Sequence, residues 1–160
     1  MTIRQLNLPP FQARLRRESG RVTIFDILRR KYVALTPEEH VRQHFVHFLC
    51  ETLGYPPTVM ANEVMLSVGQ KRLRCDTVVY DSTAHPRMIV EYKAPTLQVT
   101  QNVFDQISVY NLLLKVDYLI VSNGLSHYCC KMDYDHQKYL FLEEIPNYEI
   151  FLQTITKDNQ

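Results

Sequence analysis

The chain has 160 residues, 46% of them hydrophobic and 22% charged, and a net charge of +1. That is the size of one ordinary domain with room for a real core, and the composition excludes disordered, collagen-like and coiled-coil chains. No run approaches the roughly 20 apolar residues of a membrane span, and the first residues form no apolar signal region, so a soluble cytoplasmic domain is expected.

The small net charge hides an asymmetry. Residues 1–35 hold eight Arg and Lys against Glu18 and Asp26, a net +6, while residues 36–160 carry −5. The split reads as a phosphate-contacting arm beside an acidic body, or as the solvated face of a hairpin. The expected organisation is a basic β extension over 1–35 packed on a core over 36–160, one domain in all.

Residues 11–35 read as extended, with Glu18-Ser19-Gly20 as a turn between ARLRR and RVTIF, and KYVAL as a further short strand. Thr36-Pro37-Glu38-Glu39 opens a helix: a hydroxyl to cap it, Pro at the first position, acids in the first turn. Val41, Phe45, Phe48, Leu49 and Leu53 form its apolar stripe, and Gly54 closes it. Strands follow over 60–67 and 72–80, around Gly69-Gln70, and over 87–94. A second amphipathic helix covers about 100–115 and buries Val103, Phe104, Ile107 and Leu114. The unbroken apolar run YLIV at 118–121 suits a central strand buried on both faces and parallel to the strand before the helix. Strands over 126–132 and 138–142 and a last helix or coil over 147–156 complete the chain. The order predicts an α/β fold, a mixed sheet flanked by helices with an N-terminal β-hairpin.

Cys50, Cys75, Cys129 and Cys130 lack zinc-site spacing, and Cys129 and Cys130 point to opposite faces of a strand, so all four read as reduced, buried thiols. His40, His44 and His47 recur at helical spacing without a matching carboxylate and read as a polar helix face.

Two polar intrusions into apolar strands carry the chemistry: Asp76 in LRCDTVVY, and Glu91 with Lys93 in RMIVEYKAP. The turn-rich segment 81–86 makes these strands a hairpin. If Tyr80 pairs with Arg87, Asp76 falls opposite Glu91, with Cβ atoms about 5 Å apart, and Lys93 shares the face of Glu91. Carboxylates that close either share a proton or hold a cation. Oxygen ligands with water completing the shell suit Mg²⁺, and Mn²⁺ can substitute. Lys93 could orient or deprotonate a water, or stabilise a five-coordinate phosphate; together the three fit metal-assisted hydrolysis of a phosphodiester. The same spacing also fits a cross-strand ion pair on a solvated face.

Glu38 is in phase with Val41, Phe45 and Leu49 and leans toward the sheet, whereas Glu39 is rotated away by about 100°. Glu38 is therefore either a third metal-side carboxylate or a first-turn charge on the helix dipole. Gln106 and Tyr110 share one face of the second helix, where they could hold the lysine, the water or a phosphate, or simply pack.

This set, Glu38, Asp76, Glu91-x-Lys93 and Gln106-x-x-x-Tyr110, resembles the PD-(D/E)XK nuclease superfamily with its RecB-like Gln-x-x-x-Tyr element. More closely, TPEEHVRQHF, RCDTVVYD, IVEYKAP, FDQISVYN and YLIVSNGLSHYCCKMD resemble the N-terminal nuclease domain of type I restriction enzyme R proteins, over roughly residues 22–148. The resemblance implies a restriction-endonuclease-like α/β/α core that cleaves DNA with Mg²⁺. It implies Asp76 and Glu91 as metal ligands, Lys93 in catalysis, Glu38 as the helical acid, and Gln106 and Tyr110 in support. Cys75 stands where the superfamily motif has Pro. A helicase motor, methyltransferase or specificity subunit is expected on another chain.

For substrate grip, Lys71, Arg72 and Arg74 lead into the Asp76 strand, and Arg14, Arg16, Arg17, Arg21, Arg29 and Arg30 come from the N-terminal region. They are expected to bind phosphates without reading sequence. The alternative to an enzyme is a nucleic-acid-binding or defence-assembly subunit with the same fold and no turnover alone. The oligomeric state stays open, a homodimer included.

Overall fold

The computed structural model describes residues 4–156, excepting the side chains of residues 109–113. Three short strands form a separate antiparallel sheet in the order β1 (Leu15–Glu18), β2 (Arg21–Asp26), β3 (Lys31–Ala34). Ser19 and Gly20 turn the first hairpin with φ of 49° and 78°, the two left-handed residues that a tight turn between twisted strands demands.

Helix α1 (Pro37–His47) starts where its cap predicts: the Thr36 hydroxyl oxygen accepts from the Glu39 backbone N–H at 3.1 Å. A single π-helical turn at Phe48–Thr52 extends it. The large sheet then runs β4 (Met60–Val68), β5 (Lys71–Tyr80), β6 (Pro86–Tyr92), β7 (Tyr118–Ser122), β8 (His127–Asp133) and β9 (Lys138–Leu142), side by side in chain order. Only β6 and β7 pair in parallel, and α2 (Gln101–Leu114) makes that crossover. Helix α3 (Tyr148–Thr154) closes the described chain, capped by the Asn147 side chain on the Ile150 N–H at 2.9 Å. No described helix is long and apolar enough to cross a membrane.

The strands alternate their side chains between two cores. Phe45 and Leu49 of α1 and Phe151 of α3 pack with Val79, Met88, Val90 and Ile120. Phe104 and Ile107 of α2 pack with Val78, Ile89, Leu119 and Val121 on the opposite face. Every residue of β7 is buried, which accounts for its unbroken apolar run. Cys129 and Cys130 enter opposite cores, and all four cysteines are free thiols.

Two expectations are corrected. Tyr80 pairs with Pro86, not Arg87, because a bulge sits at the turn end of the β5–β6 hairpin. The bulged Arg87 is buried and donates from Nε to Asp81 Oδ2 at 2.7 Å. Second, Glu39 is the buried acid of α1 and Glu38 is exposed. Beyond the face on the large sheet, α1 is held through Glu39 by Arg29 from the β2–β3 turn, so its buried surface is wider than one apolar stripe. The polar histidine row of α1 is partly covered. The N-terminal segment crosses it, with Phe11 stacked on His47 at 3.9 Å between ring centres and edge-on to His44. That segment is pinned by the Asn7 N–H on the Gly124 carbonyl at 2.8 Å. Gly124 has φ +85°, and a Cβ there would meet Leu6 at 2.7 Å.

Candidate functional site

The β5–β6 ladder pairs Val79 with Met88, Val78 with Ile89 and Thr77 with Val90. One step further, the same register sets Asp76 against Glu91, and there a side chain takes over from the backbone: Asp76 Oδ2 accepts from the Tyr92 N–H at 2.9 Å. The Glu91 carboxyl lies close enough to Asp76 to feel both its charge and its backbone N–H. Burial, then the charge of Asp76, hold Glu91 protonated well above the usual carboxylate range, while Lys93 pulls weakly the other way. Strand β6 ends at Tyr92, and the Lys93 N–H bonds the Ser122 carbonyl at 2.9 Å, which keeps Lys93 beside β7.

On the other side of Asp76 stands Glu63, at the break in the β4–β5 ladder between the Asn62–Thr77 and Val64–Cys75 pairs. Its φ is 56°, a conformation that costs a non-glycine residue energy. Glu63, Asp76 and Glu91 thus hold adjacent positions across β4, β5 and β6, though their side chains do not all point to one face. Glu63 is neutralised: Arg42 Nη2 reaches its Oε1 at 2.6 Å and Arg74 Nε its Oε2 at 2.5 Å. Burial raises the Glu63 carboxyl, but Arg42 and Arg74 outweigh it and hold the group below its ordinary value.

Arg42, 4% exposed, also lies 3.2 Å from Glu39 and 3.8 Å from Asp76. Glu39 is bound again by Arg29, which holds Asp26 at 2.5 Å. A second chain of hydrogen bonds returns from Asp26 to Tyr92, next to Glu91. Asn62 donates to Asp26 at 2.9 Å, Thr77 to Asn62 at 2.7 Å, and the Tyr92 hydroxyl to Thr77 at 2.9 Å. The small sheet, α1 and strands β4–β6 are thereby tied together around Asp76.

A cleft of about 470 Å³ opens over this network, walled by Val33 and Ala34 of β3, Glu38, Arg42, Asp76 and Tyr92. Glu38 therefore shares the cleft with Asp76. Glu91 does not line it, because alternation along β6 turns it to the other face, near Cys75. Among the described residues no group of three or more His, Cys, Asp or Glu gathers as a metal cluster. Asp76 and Glu91 are brought together; Glu38 stays apart from Glu91. Gln106 is exposed on α2 and, among the described residues, makes no hydrogen bond to the pair, and the side chain of Tyr110 lies outside the described residues.

Of the basic residues, Lys71, Arg72, Arg17, Arg21 and Arg30 are exposed, and Arg74 is 69% exposed at its side chain although bound to Glu63. Arg29 is spent on Asp26 and Glu39. Arg14 and Arg16 lie over the rings of Phe25 and Tyr32. The residues that sequence reasoning passed over are Glu39, Arg42, Asn62, Glu63, Thr77 and Tyr92. One signal was available: an arginine three residues after a glutamate, within the span of an apolar helix stripe, needs a buried acid.

These elements define an α/β/α domain with a carboxylate pair where its central hairpin opens. The chain belongs to the family described as the type I restriction enzyme R protein N terminus, which matches residues 37–146. A fragment described as the HsdR subunit of a type I restriction enzyme from Vibrio vulnificus YJ016 has a similar fold, with a TM-score of 0.53 and 17% identity. The match covers 74% of this chain and 25% of that one, so this chain spans a quarter of its length. No curated protein matches the chain.

Proposed function

We propose that this domain hydrolyses phosphodiester bonds of DNA in the presence of Mg²⁺, with Mn²⁺ able to replace it. The observation that carries the reading is the Asp76–Glu91 pair, set against each other by the β5–β6 register at the end of the ladder, with burial and Asp76 pushing the Glu91 carboxyl above its ordinary value. Such a donor set fits Mg²⁺, which binds through one or two carboxylates and keeps water in its other positions. Asp76 and Glu91 would hold the ion, and Glu38, on the Asp76 side of the strands, is the helical acid of the superfamily pattern. When bound, the cation supplies Lewis-acid polarisation of the phosphate.

The protein's own groups do the rest. To hold a cation, Glu91 would bind as the carboxylate, its proton lost to solvent. Lys93 holds a positive charge beside the pair, where it orients the attacking water or offsets the charge that builds on the phosphate. Arg42 positions Asp76 from behind. Gln106 and Tyr110 support from α2, and Lys71, Arg72, Arg74, Arg14, Arg16 and Arg17 supply phosphate contacts that read no sequence.

The test is cleavage of plasmid and labelled oligonucleotides in Mg²⁺, Mn²⁺ and EDTA, with Glu91→Ala and Lys93→Ala beside the wild type. Cutting by wild type that needs the cation and falls at least about 100-fold in both variants is expected. Equal cutting by all three would sink the enzyme. A second reading, a DNA-binding part of a larger assembly with no turnover alone, is favoured by one fact: the similar fold occupies only a quarter of a longer chain. Its partners would be a helicase, methyltransferase or specificity subunit. It predicts metal-dependent DNA binding without cutting.

A further inference from the structure

The small sheet precedes the span that matches the family, and its outer face holds Arg14 and Arg16, two of the proposed phosphate contacts, in a particular arrangement. Leu15 pairs with Ile24, and Ile24 is 2% exposed, so that row faces the core. Alternation then puts Arg14, Arg16, Phe25 and Tyr32 on the opposite, outer face. The guanidinium of Arg14 lies 4.3 Å from the centre of the Phe25 ring, and that of Arg16 lies 3.9 Å from the Tyr32 ring. The two rings meet edge to face at 5.3 Å.

These two arginines differ from those of the site. Arg29, Arg42, Arg74 and Arg87 are each bound to carboxylates. Among the described residues, no carboxylate lies within ion-pair distance of Arg14 or Arg16. A ring under a guanidinium fixes its plane yet leaves its N–H edge free, so little rotamer freedom is lost when an anion binds there. Two residues apart in extended chain, Arg14 and Arg16 have Cα atoms roughly 6.7 Å apart and project from the same face. Strand β3 continues from Tyr32 into Val33 and Ala34, which wall the cleft containing Asp76.

We infer that this face is a pre-ordered grip for the phosphate backbone of the nucleic-acid strand entering the Asp76 cleft, an inference that rests on the nuclease reading. Charge complementarity selects the occupant: unneutralised, planar cations in a row suit phosphates, which guanidinium binds through paired N–H groups. Phe25 and Tyr32 act as positioning residues and touch no phosphate themselves.

The experiment is fluorescence anisotropy of labelled single-stranded and duplex oligonucleotides across a salt series, with EDTA present so that nothing is cut. In Arg14→Ala/Arg16→Ala, the plot of log affinity against log salt is expected to flatten by about 1.4 to 1.8, two phosphates' worth, with affinity about tenfold or more weaker at low salt. Arg14→Lys/Arg16→Lys keeps the slope. Phe25→Leu/Tyr32→Leu also keeps it, since both charges remain, but weakens binding severalfold. Circular dichroism melts identify any variant that fails to fold, and the lysine pair then still reads the charge. An unchanged slope and affinity in Arg14→Ala/Arg16→Ala would overturn the grip, as would displacement of the oligonucleotide by polyglutamate of equal charge. Cutting is scored separately in Mg²⁺. A protein that cuts DNA with a slope indifferent to both arginines loses the grip alone; one that binds with the expected slope and never cuts loses the nuclease alone.

Discussion

Replacing Arg42 by Met tests the charge network behind the site. Arg42 is 4% exposed, and its guanidinium lies against Glu39, itself 6% exposed, as well as Glu63 and Asp76. Methionine fills much of the volume but leaves three acids short of a cation. Removing one partner of a buried ion pair costs about 3–5 kcal/mol. Arg29 still holds Glu39 and Arg74 still holds Glu63, so the lower end, about 3 kcal/mol, is expected. For a chain of this length that lowers Tm by about 6–12 °C. Urea unfolding in EDTA measures the loss at pH 7 and again near pH 4. Burial raises the Glu39 carboxyl above its ordinary value even with Arg42 and Arg29 in place, so at pH 4 it takes up a proton and the deficit shrinks. Adding Glu39→Gln to Arg42→Met should restore part of the stability at pH 7. A loss below about 1 kcal/mol, or one identical at both pH values, would refute the network.

Three further outcomes follow from the same geometry. Burial and Asp76 place the Glu91 carboxyl above its unfolded value. Metal-free wild type therefore loses stability as pH rises from about 4.5 through the neutral range, and Glu91→Gln, unfolding curves being compared, should abolish that loss and melt higher at pH 7. Burial lowers the imidazoles of His44 and His127, which contact Phe11 and the Asn7 carbonyl. Stability should fall as pH drops below about 6.5, and hydrogen exchange of residues 5–11 should rise first; uniform exchange with pH would contradict this. Thr36→Ala removes the α1 cap and should cost about 1 kcal/mol by denaturant titration, with no change in the DNA-binding salt slope.

The elements were legible because periodicity records burial. Residues 118–121 are apolar at every position because β7 is covered on both faces, and the stripe of α1 reports its contact with the sheet. The pairing of Asp76 with Glu91 was legible for a different reason: an antiparallel hairpin keeps one register, and the bulge at Arg87 disturbs only its turn end. Glu39 was misread because helical phase shows one packing partner, while Arg29, arriving from a second sheet, holds the flank of α1. The Arg42–Glu63 and Asn62–Asp26 contacts join residues 21 and 36 apart, and charged or amide groups in a sequence look the same whether solvated or paired. Arg14 and Arg16 were visible as charges, but nothing linear shows that Phe25 and Tyr32 lie beneath them.

The most direct test of a cation site at Asp76 and Glu91 is calorimetric titration with Mg²⁺ at pH 7 in buffers of different ionisation enthalpy. Wild type should bind and release about one proton per ion, because the cation displaces the proton held by Glu91. Glu91→Gln should release none and bind more weakly, and Asp76→Asn should lose binding. Equal heats for the three proteins, or binding by wild type without proton release, would contradict the assignment.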